Sequence, residues 1–399
     1  MKDFASVILP AMLPADADRA LLVGRVWRTD STHGPAVVAL RNGEVIDITA
    51  HALTMSHLLD RDDVLDIVRE APGESLGQLA DLIAASMSGK AGLVDSARLL
   101  APCDIQAVKA CGVTFAVSLL ERVIEEQAKG DPSRASALRA EMQRVIGTDL
   151  SAIKPGSPEA DKLKADLTAR GLWSPYMEVG IGPYAEVFSK SQPMSSVGYG
   201  DDVGLHADSN WNNPEPEIVL AVNSRGEVLG ATLGNDVNLR DIEGRSALLL
   251  GKSKDNNASC AIGPFIRLFD QHFTMDTIRH AEVHMLIEGA DDGFVLEGAS
   301  YMKEISRDPL ELVAHTYGAH HQYPDGFVLF MGTMFSPIKD RDAEGGGFTH
   351  HMGDRVSISS PSLGTLVNHV QRSEQITPWT FGVRALFDNL ARRGLLKTD

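Results

Sequence analysis

Short apolar runs of strand length dominate the second half of the chain. From Val187 onward these runs are separated by glycine and proline, which is typical of β-strands joined by tight turns. The clearest are EPEIVLAV, EVLGATLGNDV, DGFVLFMGTM, DRVSISS and LGTLVNHV. Residues 20–49 alternate in the same way, and Asn42-Gly43 favours a hairpin turn because both residues tolerate a positive φ. We therefore predict a fold rich in β-strands.

Helical spacing of apolar residues is confined to other stretches. It occurs over residues 52–98, where DLIAASM is the clearest segment, over 115–147 and over 380–396. Gly130 and Pro132 are expected to break the second of these helices. Residues 151–173 are polar and rich in lysine, and we expect a surface insertion there. The pattern predicts an α+β protein, with residues 1–100 as a smaller N-terminal α+β domain that shows no evident chemistry.

Composition and charge narrow the class of protein. The chain has 399 residues and a formal net charge of −17, which disfavours nucleic acid as a partner because a phosphate backbone attracts positive charge. No apolar run approaches the roughly 20 residues that a membrane span requires, and the N-terminus lacks the features of a signal peptide. Three cysteines without metal-finger spacing fit a reducing compartment. We expect a soluble cytoplasmic protein.

Acidic residues cluster around one predicted hairpin. Glu215 and Glu217 are two apart in a strand and so project from the same face. If Arg225-Gly226 forms a two-residue turn, Ser224 pairs with Glu227. The ladder then places Glu217 opposite Gly234 and Glu215 opposite Asp236. A slip of one residue would turn Asp236 to the other face.

Three carboxylates beside an apolar sheet would repel one another without a cation. Oxygen-only ligands indicate a hard dication, Mg²⁺ or alternatively Mn²⁺ or Ca²⁺, rather than zinc. The alternative is that the acids lie in solvent on an edge strand, since Pro216 cannot donate a ladder hydrogen bond. Spacing alone leaves both interpretations open.

Several ordered motifs resemble the fumarylacetoacetate hydrolase family. They are the E-P-E box at 215–217, the G-N-D-V-N-L-R-D run at 234–241, a lysine before C-A-I-G-P at 260–264, D-G-F-V-L-F-M-G-T at 325–333, and G-D-R-V-S-I with L-G-T-L-V-N-H-V between 353 and 370. The resemblance covers about residues 101–370. It implies a mixed β-roll core, with a catalytic domain over residues 101–399, a divalent metal and a homodimer or higher homo-oligomer.

The resemblance also implies roles for individual residues. Its metal ligands match Glu215, Glu217 and Asp236, its site lysine matches Lys254, with Lys252 as a nearby competitor, and its late threonine matches Thr333. Arg240 matches a site arginine, and Lys190 resembles a position near the site entrance that would meet an anionic substrate. We therefore expect Arg240, Thr333 and Lys190 to bind substrate.

One departure from the family pattern bears on the reaction. Hydrolases of this family typically carry a histidine and a glutamate that activate water, and Ser118 stands at the position of that histidine. Serine cannot act as a base near pH 7. The G-V-T-F-A-V-S form at 112–118 and the W-N-N-P-E-P-E box at 211–217 look instead like the branch that dehydrates 2-keto-3-deoxy sugar acids, with a pentonate as substrate.

The resemblance suggests a dehydration that requires no attacking water. Loss of a C3 proton from a metal-held 2-keto-3-deoxy-pentonate and departure of the C4 hydroxyl, followed by tautomerisation through C5, would give 2,5-dioxopentanoate. Lys254, Glu121, Glu125 and Ser118 are the catalytic candidates. The two glutamates are four apart on a predicted helix and share a face, although they could equally be solvated acids.

Other functions stay open from the sequence. Lys254 could instead form a Schiff base with the substrate's C2 carbonyl. The protein could be a C–C hydrolase or a decarboxylase of a diketo acid, or a non-catalytic scaffold that retains the fold. Ser118 disfavours hydrolysis, and the complete set of charged site residues disfavours a scaffold.

Overall fold

The structure, a computed structural model, describes residues 12–88, 97–135, 138–139, 153–171 and 173–396. Its strands, numbered in chain order, are β1 Leu22–Arg28, β2 Gly34–Arg41, β3 Glu44–Asp47, β4 Glu74–Gln78, β5 Arg98–Leu100, β6 Ala107–Gly112, β7 Glu186–Ser191, β8 Asp202–Leu205, β9 Pro216–Val222, β10 Val228–Asp236, β11 Cys260–Leu268, β12 Glu282–Glu288, β13 Val295–Tyr301, β14 Phe327–Phe330, β15 Arg355–Ser360 and β16 Gly364–Arg372.

The helices are shorter and lie mostly outside the sheets. They are α1 Met55–Leu59, α2 Val64–Glu70, α3 Leu79–Ser88, α4 Ala116–Ala128, α5 Pro158–Ala169, α6 Pro175–Ile181, α7 Arg240–Glu243, α8 Leu250–Lys254, α9 Met275–Arg279, α10 Pro309–Thr316 and α11 Val383–Arg392, with 3₁₀ turns at Ala247–Leu249 and Met302–Glu304. Within the described ranges, no helix is long and apolar enough to cross a membrane.

Two sheets organise these elements. The larger has the order β4-β3-β2-β1-β11-β10-β9-β14-β6-β7, with β5 paired to β1, and the smaller has the order β13-β12-β15-β16-β8. Apolar side chains from both sheets share one large core cluster, which is why strands β9 and β11 are buried along their whole length. The predicted α+β class with a β-rich core is confirmed.

Most of the predicted elements are present. Asn42 and Gly43, with φ of 52° and 80°, form the turn between β2 and β3. DLIAASM lies in α3, and the C-terminal amphipathic stretch forms α11. Helix α4 ends at Ala128, where Lys129 and Gly130 adopt positive φ, and most of the predicted stretch beyond 135 lies outside the described residues.

Two details differ from the predictions. The stretch over residues 52–98 contains β4, whose polar sequence ESLGQ gives no apolar alternation that could reveal it. The polar segment 151–173 contains α5, which buries Ala160 and Leu167 against α4 and α6. The expected surface segment thus contains a helix that packs through these two residues.

The N-terminal strands join the same sheet as the central strands. Strand β1 pairs with β11, and Leu22 faces Arg267 across this junction. The boundary at residue 100 between two domains therefore stays a prediction. The homo-oligomer and the cytoplasmic location also stay predictions.

Candidate metal and catalytic site

The β9–β10 hairpin brings the predicted carboxylates together. Glu217 lies opposite Gly234, as predicted, and the Asp236 backbone N–H donates to the Glu215 carbonyl at 3.0 Å. The predicted two-residue turn is wrong, because the turn spans residues 223–227. A bulge between Val228 and Gly230 then restores the register. The wider turn shifts the pairing by one residue and the bulge shifts it back by one. The pairing at the acidic end is therefore the expected one.

The wider turn is caused by an asparagine side chain. The Oδ1 atom of Asn223 accepts hydrogen bonds from the backbone N–H groups of Arg225 and Glu227, at 3.0 and 2.9 Å. Gly226 sits at φ 80°, a conformation that glycine adopts without strain. These hydrogen bonds from the Asn223 side chain hold five residues in the loop, whereas Arg225-Gly226 had predicted a turn of two.

The three carboxylates form one buried cluster. Glu215, Glu217 and Asp236 are each at most 1% exposed, and one oxygen from each lies within 4.8 Å of the others. Strand β9 is bordered by both β10 and β14, so the alternative of solvated acids on an edge strand is wrong. Pro216 is accommodated at the first residue of the strand.

Glu215 is the best compensated of the three. Its carboxylate accepts hydrogen bonds from Arg122, from the Lys254 Nζ at 2.6 Å and from the Thr333 hydroxyl at 2.8 Å. Burial by itself would raise the pKa of Glu215, but Arg122 and Lys254 outweigh it and lower the pKa to about 2. This group is an anion throughout the physiological range.

Glu217 has no such compensation. It accepts from the Gly332 backbone N–H at 2.7 Å and from the Thr333 hydroxyl at 3.5 Å, and no lysine, arginine or histidine of the described chain forms an ion pair with it. Burial and the charges of Asp236 and Glu215 raise its pKa well above the ordinary value. Without a further cation, Glu217 is driven to hold a proton.

Two lysines contact Asp236. Lys254 lies 3.2 Å from one oxygen, and Lys190 lies 2.9 Å from the other. Lys190 was expected in a loop at the site entrance, but it lies on β7, is fully buried, and also donates to the carbonyls of Val237 and Lys254. Lys190 lies in the F-S-K-S end of this strand, where its side chain is buried next to Asp236.

Lys254, and not Lys252, belongs to the site. Lys252 lies near His206 and Asp208 on the surface, with its Nζ 3.3 Å from the histidine. Burial would lower the pKa of Lys254, but Asp236, Glu215 and Glu243 raise it above its ordinary value. Lys254 is therefore a permanently protonated hydrogen-bond donor at neutral pH.

Helix α4 presents a buried ion network to the cluster. The guanidinium of Arg240 contacts Glu125 at 2.6 Å and Glu121 at 3.3 Å, and it donates to the Pro337 carbonyl at 3.0 Å. Arg240 thus touches none of the three clustered carboxylates. It reaches them through Glu125, which also binds Arg122.

Glu121 and Ser118 are occupied by neighbouring groups. Glu121 accepts two hydrogen bonds from Arg139, at 2.8 and 2.7 Å. Burial raises the pKa of Glu121, but Arg139 and Arg240 outweigh this effect and lower it. The Ser118 hydroxyl donates to the Phe115 carbonyl of its own helix at 2.9 Å. Neither group is positioned as a free proton donor.

Two charged site residues were missed from the sequence. Arg122 binds Glu215 and Glu125, and it lies 3.2 Å from Glu243. Its position between Glu121 and the E-E pair suggests an ordinary helix-surface charge, so only the packing of α4 against α7 shows that it is buried. Glu243 sits in the R-D-I-E-G run, and burial together with nearby acids raises its pKa.

Glu186 is the third missed residue and the least restrained. It starts β7 and pairs with Gly112 on β6, where its carboxylate fills the space that a Cβ at position 112 would occupy. Its carboxylate forms no hydrogen bond or ion pair with the described residues. Burial and the charge of Glu243 raise its pKa to about 7, against the opposing effect of Lys254. No sequence signal identifies this residue, because the β6–β7 pairing joins segments more than 70 residues apart.

The donor set fits a hard divalent cation. Oxygen ligands of one hard dication lie within about 5 Å of one another, and one oxygen from each of the three carboxylates meets this limit. All donors are carboxylates, and Glu217 still lacks a compensating charge. A dication would supply that charge without moving the strands.

Comparisons with known proteins agree with this geometry. Residues 182–371 match the family described as Fumarylacetoacetate (FAA) hydrolase C-terminal. The chain is 27% identical over 338 residues to a Haloferax volcanii protein named "Probable 2-keto-3-deoxyxylonate dehydratase", covering 84% of this chain and 94% of that protein. It is 30% identical over 194 residues to the 2-dehydro-3-deoxy-D-arabinonate dehydratase of Saccharolobus solfataricus, covering 48% of this chain and 60% of that protein.

Solved structures show the same fold. A 2-keto-3-deoxy-D-arabinonate dehydratase complexed with magnesium and 2,5-dioxopentanoate matches with a TM-score of 0.57 and 21% identity, over 88% of this chain and 99% of the other. A fumarylacetoacetate hydrolase from Exiguobacterium antarcticum matches with a TM-score of 0.53 and 16% identity, over 88% and 100%. Residues 182–371, which contain all three clustered carboxylates, thus resemble the fumarylacetoacetate hydrolase family.

Proposed function

We propose that the protein is a metal-dependent hydro-lyase that converts a 2-keto-3-deoxy-pentonate to 2,5-dioxopentanoate. The observation that carries this proposal is the buried cluster of Glu215, Glu217 and Asp236, one member of which lacks a compensating cation. The names of the two curated relatives support the choice of substrate class.

The three carboxylates would hold Mg²⁺, with Mn²⁺ or Ca²⁺ as alternatives. The chemistry that such an ion would supply when bound is polarisation of the carboxylate and ketone oxygens of a 2-keto acid, which would acidify the proton on C3. Lys190 stays beneath Asp236 and fixes the carboxylate from the side away from the substrate. Its role in this proposal is to position Asp236 and not to bind substrate.

Glu186 is the proton acceptor in this proposal. Its carboxylate has no hydrogen-bond or ion-pair partner among the residues that the structure describes and sits in the space left by Gly112, and burial raises its pKa to about 7. A base with a pKa near the working pH combines a sufficient ionised fraction with a sufficient affinity for the proton. Glu186 would remove the C3 proton and return it to the departing C4 hydroxyl, which leaves as water. The resulting C3=C4 enone would then pass a proton from C5 to C3, and the enol formed at C5 would tautomerise to the aldehyde of 2,5-dioxopentanoate.

Lys254 and Thr333 orient the substrate. Both already donate to Glu215, so their donor atoms lie at the face of the cluster where the substrate carboxylate would bind. The charge on Lys254 disfavours the Schiff-base alternative, because only a neutral amine attacks a carbonyl. Borohydride reduction in the presence of substrate should leave the mass of the protein unchanged.

The buried ion network around Arg122 supports the site indirectly. It contains Glu121, Glu125 and Arg240. Each glutamate is bound to at least one arginine, which keeps Glu121 ionised and removes it as a proton donor. We assign these residues to positioning Arg122, which in turn binds Glu215. Ser118 belongs to the same helix, and its hydroxyl donates to the Phe115 carbonyl at the start of that helix.

Hydrolysis of a diketo acid is the competing function. It requires a base that activates water, and the Ser118 hydroxyl instead donates to a backbone carbonyl. Dehydration needs no nucleophilic water, which is why we favour it. A scaffold without activity would have no need for an uncompensated buried carboxylate, since such a group destabilises the fold.

Product analysis by NMR tests the proposal. Protein stripped with a chelator and reloaded with Mg²⁺ is incubated with 2-keto-3-deoxy-D-arabinonate, with its xylonate epimer and with an acylpyruvate. We expect the aldehyde signal of 2,5-dioxopentanoate from a deoxy-pentonate only, and none without metal. Cleavage of the acylpyruvate with no aldehyde from either sugar acid would establish the hydrolase, and no turnover of any substrate would favour the scaffold.

A further inference from the structure

The turn after β14 contains a peptide group that is held on both sides. Its carbonyl, on Met331, accepts a hydrogen bond from the Thr114 hydroxyl at 2.6 Å. Its N–H, on Gly332, donates to the Glu217 carboxylate at 2.7 Å. Because a peptide group is planar, the carbonyl and the N–H cannot rotate independently. The hydroxyl of Thr114 therefore fixes the direction in which the Gly332 N–H points.

This N–H matters to Glu217 because the carboxylate has few other donors. Among the described residues its second donor is the Thr333 hydroxyl, at the longer distance of 3.5 Å. Glu215, by contrast, accepts hydrogen bonds from an arginine, a lysine and the same threonine. The orientation of the Glu217 carboxylate thus depends mainly on one backbone N–H.

Thr114 and the turn pack so closely that only glycine fits between them. Gly332 has a φ of 101°, which favours glycine, and a Cβ at this position would lie 2.0 Å from the Thr114 Oγ1. Thr114 is 2% exposed and Met331 is fully buried. Loss of the hydroxyl would therefore leave the Met331 carbonyl without a partner in the protein interior.

The backbone around Thr114 is fixed by contacts that do not involve the turn. The Thr114 carbonyl accepts hydrogen bonds from the backbone N–H of Ser306 at 2.8 Å and from its hydroxyl at 2.9 Å. Val113 has a φ of 56°, which β-branched residues rarely adopt. Such a conformation persists where the surrounding structure enforces it, and it is found most often at functional sites.

We propose that Thr114 is a positioning residue that prepares Glu217 to bind the dication. Its hydroxyl orients the Met331–Gly332 peptide group, and the Gly332 N–H then holds the Glu217 carboxylate in the cluster with Glu215 and Asp236. This inference rests on the proposed function, because it gives Thr114 a role in the same metal site. It concerns metal affinity, which can be measured without turnover.

Calorimetric titration of chelator-stripped protein with Mg²⁺ tests this proposal. Thr114→Val keeps the shape of the side chain and removes the hydroxyl, and it should raise the Kd for Mg²⁺ about tenfold. Thr114→Ser restores the hydroxyl, and its Kd should lie within about twofold of the unmodified value. Thr114→Cys, whose thiol is a weaker donor, should give an intermediate Kd and replaces the valine variant if that variant does not fold.

Thr316→Val is the matched control. It removes another buried threonine hydroxyl, one that donates to the Leu312 carbonyl of its own helix at 2.9 Å. Its Kd for Mg²⁺ should stay within about twofold of the unmodified value, although thermal stability falls as it does in Thr114→Val. Circular dichroism confirms that each variant is folded.

The outcomes separate this inference from the proposed function. An equal Kd in Thr114→Val and in the unmodified protein would overturn the inference and leave the proposed function intact. An equal loss of affinity in Thr114→Ser or in Thr316→Val would also overturn it, because the effect would not then come from this hydrogen bond. Unmodified protein that binds no Mg²⁺ would overturn the proposed function and this inference with it.

Discussion

Two clusters among the described residues bring three potential metal ligands within 4.8 Å of one another, and they differ in almost every other respect. Glu215, Glu217 and Asp236 are buried, whereas Asp291 and Asp292 are exposed and only their partner His351 is partly buried. Geometry alone would make both of them metal sites. The distribution of positive charge separates them.

In the exposed cluster, Asp291 and Asp292 each contact a basic side chain. Arg341 contacts Asp292 at 2.8 Å and, on its other edge, Asp354. The two nitrogens of His351 lie 3.0 Å from Asp291 and 2.9 Å from Asp342. Burial lowers the pKa of His351, but Asp291 and Asp342 outweigh it and raise the pKa. A metal would have to displace a cation that is already bound.

In the buried cluster the cations reach only two of the three acids. Lys254, Lys190 and Arg122 contact Glu215 or Asp236, and Glu217 is left with a backbone N–H and a hydroxyl. Close carboxylates are therefore insufficient evidence for a metal site. An uncompensated carboxylate in a dry environment is the stronger indicator.

The largest expected effect comes from neutralising the uncompensated carboxylate. Glu217→Gln should lower kcat/KM for the sugar acid on the order of 10³-fold, because the site then lacks the charge that holds the dication. The matched change in the exposed cluster, Asp292→Asn, should leave kcat/KM within about twofold. Steady-state kinetics, with circular dichroism as the folding control, compares the two. An equal loss in both variants would remove the distinction between the clusters.

Glu186→Gln separates proton transfer from metal binding. We expect a loss in kcat on the order of 10²-fold, since a positioned base contributes at least that much, with the affinity for Mg²⁺ unchanged. Calorimetry measures the affinity and stopped assays measure kcat. Near-normal turnover would exclude Glu186 as the base.

The pH dependence should follow from the same residue. A base acts in its ionised form, so kcat/KM should rise with pH and level off above about 7, the pKa of Glu186. Below that value it should fall about tenfold per pH unit. Glu186→Gln should abolish this limb, while Asp292→Asn should retain it. A limb that persists unchanged in the Glu186 variant would assign the titration to another group.

A smaller effect is expected at Thr333. Thr333→Val keeps the shape of the side chain and removes the hydroxyl that donates to Glu215. We expect KM to increase about fivefold, with a smaller change in kcat, because one neutral donor is lost. Thr232→Val on the neighbouring strand, whose hydroxyl is buried without a partner, is the control and should have no kinetic effect.

The sequence predicted the acidic cluster because strand periodicity is local. Alternation in E-P-E-I-V-L and the return through L-G-N-D place three acids on one face, and the register survives even though the turn is wider than predicted. The pairing was predicted correctly although the turn was not. Asn223 widens the loop, and the bulge beyond it removes the offset.

The remaining site residues depend on contacts distant in sequence. Lys190 and Glu186 enter the site because β7 lies next to β6, and Arg122 enters because α4 packs against α7. Neither arrangement leaves a periodic signal. Arg240 and Glu121 were recognised by motif, yet their partners are one another rather than the carboxylate cluster. Motif resemblance located these residues without showing what they touch.

Binding of Mn²⁺, followed by electron paramagnetic resonance, tests the central claim most directly. The account predicts one tightly bound Mn²⁺ per chain in the unmodified protein and in Asp292→Asn, and no tight site in Glu217→Gln. A tight site that survives Glu217→Gln but disappears in Asp292→Asn would contradict it and would place the metal at the exposed cluster.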